Sequence, residues 1–122
     1  MTSGGMSRSF QMWMQTLILS LLGLQPSVGL VSYEEAVRCA GLTQAASELE
    51  GGETSRGKSL YDAALYWTLA AMQAGTAAGR AAQASEADQN RARIEAVRQL
   101  SADAPAARTA LGRCLEKTPE LD

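Results

Sequence analysis

Residues 60–81 read Leu60-Tyr-Asp-Ala-Ala-Leu-Tyr-Trp-Thr-Leu-Ala-Ala-Met-Gln-Ala-Gly-Thr-Ala-Ala-Gly-Arg-Ala81, and the spacing of their apolar side chains indicates the fold class. Apolar residues recur at alternating spacings of 4 and 3, at Leu60, Ala64, Trp67, Ala71, Ala74, Ala78 and Ala81. This spacing is typical of one face of an α-helix and excludes the alternation of a β-strand. Tyr61, Leu65, Leu69 and Met72 widen the apolar face.

Start signals before this run predict an earlier helix and a loop. Ser32-Tyr-Glu-Glu35 has the form of a capping box, so we expect a first helix from there to about Leu49. The polar, glycine-rich residues 50–57 are typical of a loop. Ser59, with Asp62 three residues later, then predicts the N-terminal cap of the second helix.

Two further helices are predicted after the second one. Ser85-Glu-Ala-Asp88 resembles another cap, and the third helix that it starts runs to about Ser101. Its thin apolar stripe consists of Ala87, Ile94, Val97 and Leu100. Asp103-Ala-Pro105 begins a fourth helix that ends near Lys117, because proline is tolerated in a first turn. We therefore expect an all-α fold, a compact array of about four short helices in one domain over residues 30–122.

Gly75 and Gly79 interrupt the second helix near its end. Glycine costs roughly 1 kcal/mol relative to alanine inside a helix, so one interpretation is a kink or an early stop. The other interpretation is a smooth surface, shared with Ala78, that another backbone approaches closely.

Helical spacing assigns Trp67 to the core. Tyr66 lies off that seam and is, with Gly75 and Gly79, a candidate contact for a partner.

Cys39 and Cys114 are the two cysteines of the chain, and we predict that they form a disulfide between the first and last helices. Each lies in register with apolar residues of its helix: Leu42, Ala46 and Leu49 for the first, Ala107, Ala110 and Leu111 for the second. An even cysteine count in an exported protein favours a bridge. Closing so long a loop stabilises by roughly 4–5 kcal/mol in the chain-entropy model. Two free buried thiols are the alternative, while a redox pair is disfavoured because such cysteines usually lie close together in sequence.

The N-terminal residues differ in composition from the rest, with Arg8 as the only charge before Glu34. The apolar run Phe10–Leu24 is followed by Pro26, and Ser27-Val-Gly29 supplies the small-x-small pattern that signal peptidase reads. We predict a signal peptide over residues 1–29, and hence an exported protein, periplasmic or secreted. The alternatives are a membrane anchor and a buried helix of a cytosolic fold. The anchor is disfavoured because a spanning helix needs about 20 mostly apolar residues.

Composition and charge exclude several classes of function. The 122 residues include no histidine, which removes histidine-assisted nucleophilic catalysis and the usual zinc or haem ligand. The formal net charge is −2, so the chain lacks the basic excess expected of a nucleic-acid-binding protein. Four arginines resemble a basic patch, but acids at helical spacing pair most of them, which predicts a solvated, ion-paired helix face: Arg80, Asp88, Arg91, Arg93, Glu95 and Arg98. Binding of an anion or polyanion is the alternative.

The acidic loop after the first helix is not a metal site by its spacing. Glu48, Glu50 and Glu53 do not match the alternating ligands of a calcium loop. We therefore expect no catalysis, no cofactor, no metal and no nucleic-acid partner. The sequence favours a small exported helical protein that acts by binding another protein, in the cell envelope or outside the cell. The alternative is a membrane-tethered accessory subunit with an uncleaved N-terminal helix, the one case in which a membrane is involved.

Overall fold

A computed structural model of the chain describes residues 31–120. They form four α-helices: α1 (Tyr33–Glu50), α2 (Ser55–Ala77), α3 (Ala82–Ser101) and α4 (Pro105–Glu116). No β-strand occurs within residues 31–120. The predicted all-α array of four helices is confirmed. The predicted signal peptide, residues 1–29, lies outside the described residues.

The first helix lies in the middle of the bundle, because α2, α3 and α4 all pack against it. Its start is the predicted one, since the backbone N–H of Glu35 donates to Ser32 Oγ at 3.1 Å. Burial extends over more than one face of α1 and covers Ala36, Cys39, Ala40, Gly41, Leu42, Thr43, Ala45 and Ala46. Most of these side chains are small, so the neighbouring helices come close to its backbone.

The second helix begins earlier than the sequence predicts. Thr54 is the cap, accepting from the backbone N–H of Gly57 at 2.9 Å, and the cap predicted at Ser59 is wrong. The Thr54 hydroxyl also donates to Glu50 Oε2 at 3.3 Å, which ties the cap to the end of α1 and shortens the loop. The face that α2 buries includes the predicted residues Leu60, Ala64, Trp67 and Ala71.

The second helix stops at Ala77. Gly79 adopts a left-handed φ of 76°, which glycine reaches without strain. The backbone N–H of Arg80 donates to the carbonyl of Gly75 at 2.8 Å, and that of Gly79 donates to Thr76 at 3.0 Å. These two bonds are a Schellman motif, which satisfies the last carbonyls of the helix. The early stop is thus correct for Gly79, whereas Gly75 is a point of close approach between α2 and α3, because a Cβ there would lie 2.3 Å from Ser85 Oγ.

The third helix differs most from its prediction. It begins at Ala82 without a side-chain cap, so the cap predicted at Ser85 is wrong. Ser85 is instead buried, together with Gln89 and Ala96. Of the predicted stripe, Ala87 and Ile94 are exposed, whereas Val97 and Leu100 are partly buried. The reason is that α3 crosses α1 closely at Ala92, where a Cβ on Gly41 would lie only 2.6 Å away, so α3 turns a face with small residues towards the core.

The fourth helix agrees with its prediction. Pro105 is its first residue, and Ala107, Ala110, Leu111 and Cys114 form the buried face. α4 packs on one side only, chiefly against α1, so its apolar stripe and its buried face coincide.

Candidate functional site

The disulfide between α1 and α4 is formed as predicted. Cys39 and Cys114 are bonded, with their Cα atoms 5.5 Å apart, and each residue is 3% exposed. The bond joins the first helix of the bundle to the last one, across a sequence separation of 75 residues. The bond is compatible with an oxidising, exported location, where disulfides persist.

A groove of about 300 Å³ runs along the α1–α4 seam over this disulfide. We call it the disulfide groove and define it by Glu35, Arg38, Cys39, Ala110, Arg113, Cys114 and Lys117. The Lys117 ammonium forms an ion pair with the Glu35 carboxylate across the seam. Its rim therefore carries three cationic side chains and one acidic side chain.

A hydrogen-bonded chain connects the core tryptophan with the end of α4. The indole N–H of Trp67 donates to Thr118 Oγ1 at 2.8 Å, and the Thr118 hydroxyl donates to the carbonyl of Cys114 at 2.7 Å. Trp67 is fully buried, as predicted. The indole is thereby satisfied despite its burial. These two hydrogen bonds hold Thr118, which follows α4, next to the disulfide.

The three predicted partner contacts do not share one surface. Tyr66 is half-buried and packs edge-on against Trp67, with ring centroids 5.1 Å apart and planes at 88°. Gly75 is buried, and a Cβ there would lie 2.3 Å from Ser85 Oγ, so the close approach it allows is within the molecule. Gly79 is exposed at the end of α2. Gly75 is therefore not accessible to a partner.

An exposed apolar stripe on α2 is the surface that the sequence analysis did not single out. Tyr61, Leu65 and Leu69 are 58%, 47% and 62% exposed, and their spacing of four residues lines them up along one face of the helix. We call these three residues the α2 outer stripe. The sequence contained the signal, because the apolar face of α2 is wider than one neighbouring helix can cover.

A polar cluster joins the start of α1 to α3. The Tyr33 hydroxyl donates to Asp88 Oδ2 at 2.7 Å, and Arg80 Nε lies 3.3 Å from the same oxygen. The Arg80 guanidinium also lies 4.9 Å from the centre of the Tyr33 ring. The Tyr33 hydrogen bond, followed by the charges of Arg80 and Arg91, holds the pKa of Asp88 below its ordinary value of 3.8, although partial burial opposes this shift.

The arginines of the α3 region are ion-paired, as predicted. Arg80 and Arg91 both pair with Asp88, Arg98 pairs with Glu95, and Arg93 Nη1 lies 3.2 Å from Glu48 Oε2 on α1. The last pair links two helices and could not be read from spacing along one helix. Four arginines thus pair with three acids, and this face is an ion-paired surface with a formal excess of one positive charge.

Residues 31–120 contain no cluster of three or more acidic or cysteine side chains that could coordinate a metal ion. None of the helices in that part of the chain is long and apolar enough to span a membrane. The groups that the fold brings together are therefore a bridged, charged groove and an exposed apolar stripe. Comparison of the chain with protein family models, curated protein sequences and solved structures finds no match.

Proposed function

We propose that this protein is a small, exported, non-catalytic helical protein that acts by binding another protein in the cell envelope or outside the cell. The observation that carries the proposal is the α2 outer stripe. Three large apolar side chains in line, each about half exposed, are costly to leave in water and are typical of a surface that a partner covers.

The chemistry of α2 indicates what kind of partner fits the stripe. Residues 63–79 contain no charged side chain, so this face offers a partner no ion pairs along most of the helix. The stripe from Tyr61 to Leu69 is about 12 Å long at the rise of an α-helix. An amphipathic helix with apolar residues at i and i+4 matches both the length and the chemistry.

The disulfide supports the exported part of the proposal. A bridge in a small alanine-rich bundle is typical of proteins that fold in an oxidising compartment, where it compensates for a thin core. The predicted signal peptide over residues 1–29 points the same way.

The binding surface is tested by changing the stripe and a matched control. We expect the double variant Leu65→Gln, Leu69→Gln to keep its helical circular dichroism, because both side chains are exposed, and to lose a protein captured by the wild type from the envelope fraction. Ile94→Gln is the control, since Ile94 is 55% exposed but lies on α3. Equal capture by all three proteins contradicts a role for the stripe. If the wild type is a dimer and the double variant is a monomer, the stripe binds a second copy of this chain. That result would contradict the proposal that it binds a different protein.

Export is tested by the intact mass of the protein recovered from its source cells. Loss of about the first 29 residues, the length of the predicted signal, supports an exported protein. Retention of Phe10–Leu24 in the membrane fraction instead favours the alternative, a tethered accessory subunit. Recovery of the full-length, reduced protein from the cytosol contradicts both.

A further inference from the structure

Two arginines on the rim of the disulfide groove stand apart from the other basic residues. In residues 31–120, every lysine and arginine except Arg38, Lys58 and Arg113 forms an ion pair with an acidic side chain. Arg38 and Arg113 line the same groove, although they belong to different helices. Both are exposed, so their guanidinium groups are accessible to a ligand.

The one acid that lines the groove is already engaged, and Glu34 and Glu116, one turn from Arg38 and Arg113, are not among the lining residues. Glu35, the acid of the groove, is paired with Lys117. A second groove on the other side of Arg38 contains Glu95, whose carboxylate pairs with Arg98 and accepts from Gln99 at 3.0 Å. The formal charge of the four rim side chains is thus +2, on a chain whose total is −2.

We propose that the disulfide groove binds a small phosphate-type oxyanion. A phosphate group carries a charge of about −1.5 to −2 at neutral pH, which matches the charge of the rim. Its oxygens accept hydrogen bonds from the two arginines that form no ion pair, and each planar guanidinium group presents paired donors of the geometry that phosphate prefers. The volume of about 300 Å³ suits a small molecule.

The disulfide makes this arrangement part of the fold. Arg38 immediately precedes Cys39, and Arg113 immediately precedes Cys114. Bonding the two cysteines, with Cα atoms 5.5 Å apart, therefore fixes the backbone positions from which both arginines extend. Less ordering is needed on binding when the backbone positions that carry the two guanidinium groups are already fixed.

The proposal is tested by titrating the purified, oxidised protein with inorganic phosphate and with glycerol phosphate at low ionic strength. We expect saturable binding of about millimolar affinity, with amide chemical shifts that move at residues 35–39 and 113–117. Tighter binding of glycerol phosphate would identify a phosphate ester as the ligand, whereas equal binding identifies the free anion. Added sodium chloride is expected to weaken binding, because the groove is open to solvent.

Variants separate a specific site from general attraction of anions. Arg38→Gln and Arg113→Gln are each expected to weaken phosphate binding by about fivefold or more. Lys58→Gln removes the same charge from a basic residue without an ion pair outside the groove, and should change binding by less than about twofold. Glu35→Gln, which removes the opposing acid, should tighten it. Binding that does not saturate, equal loss in Lys58→Gln, or succinate binding as tightly as phosphate would overturn the proposal.

Discussion

The Ser85 hydroxyl is the one buried side-chain polar atom in residues 31–120 that has no hydrogen-bond partner. The side chain is 1% exposed and points at the α2 backbone, where Gly75 leaves it room. A buried polar atom without a partner loses its hydrogen bonds to water and gains none in return. The packing of α3 on α2 therefore includes an unfavourable contribution that one substitution can remove.

We expect Ser85→Ala to stabilise the protein. The change keeps the Cβ that packs against α2 and removes the unpaired hydroxyl, which costs about 1 kcal/mol or more when buried. Ser59→Ala is the matched control, because Ser59 is exposed on α2 and gains only the small difference in helix propensity. The free energies of unfolding in urea should rise by about 1 kcal/mol more for Ser85→Ala than for Ser59→Ala. An equal gain in the two variants would mean that the hydroxyl is satisfied.

Asp88 makes stability depend on pH in the acid range. Its pKa is lowered in the folded protein by the Tyr33 hydrogen bond and by Arg80 and Arg91, so folding favours the carboxylate. A carboxyl with a lowered folded pKa contributes stability above its unfolded pKa of about 3.9. That contribution is lost as the pH falls from about 4 through the lowered pKa.

Removing the Tyr33 hydroxyl tests this cause of the shift. In Tyr33→Phe we expect the pKa of Asp88 to move back up towards its ordinary value, because the largest lowering contribution is gone. The carboxyl resonance of Asp88 followed by NMR over acid pH measures it. Tyr61→Phe is the control, since Tyr61 is 58% exposed on the α2 outer stripe. An unchanged Asp88 pKa in Tyr33→Phe would assign the shift to the arginines alone.

At the scale of the element, the contact of α1 with α3 depends on Gly41. A Cβ added there would lie 2.6 Å from the Cβ and the carbonyl carbon of Ala92. Backbone atoms cannot give way as the end of a flexible side chain does, so the two helices would have to separate. We expect Gly41→Ala to destabilise the protein by about 1–3 kcal/mol, the usual cost of overpacking a core. Urea unfolding measures this.

Gly112→Ala is the control for that experiment. Nothing lies within 4 Å of the Cβ that it would add on α4. Alanine there should stabilise by about 0.5–1 kcal/mol, through helix propensity and a less flexible unfolded chain. Opposite signs for the two glycine variants are the expected result. A gain in both would show that α3 can shift away from α1 without cost.

The helices also show how far apolar spacing predicts packing. The stripe of α4 matched its buried face because one side of that helix is covered, whereas α1 is covered by three neighbours. Leu65 and Leu69 belong to the apolar face of α2 by spacing, yet they remain exposed because no described helix lies over them. Spacing reveals an apolar face but not how much of it a neighbour covers. Cap prediction failed at Ser59 because Thr54 offers a capping hydroxyl five residues earlier.

At the scale of the whole molecule, the disulfide was predictable and the two candidate surfaces were not. Two cysteines allow one pairing, so sequence sufficed once an exported protein was assumed. The disulfide groove depends on Arg38 and Arg113 meeting at the same seam, which only the fold shows. Gly75 was proposed as an outward contact, but its missing side chain admits Ser85 from inside the bundle. Small residues on a helix allow close packing with a partner or within the molecule, and only the structure distinguishes these two roles.

The bridge should supply a large part of the stability of so small a bundle. Its core is mostly alanine, and Trp67 is the one large side chain among those that are fully buried in residues 31–120. The disulfide closes a sequence separation of 75 residues. In the chain-entropy model this removes about 4–5 kcal/mol of unfolded-state freedom, comparable to the whole stability of many small domains.

We therefore expect the double variant Cys39→Ala, Cys114→Ala to lose about 4–5 kcal/mol of unfolding free energy, or to be unfolded already at room temperature. Urea denaturation followed by helical circular dichroism measures the loss, with alkylation under non-reducing conditions confirming that the wild type has no free thiol. The variant keeps small apolar side chains at both positions, so its effect reports on the covalent link more than on packing. A loss below about 1 kcal/mol would mean that the non-covalent contacts of α1 and α4 hold the bundle together.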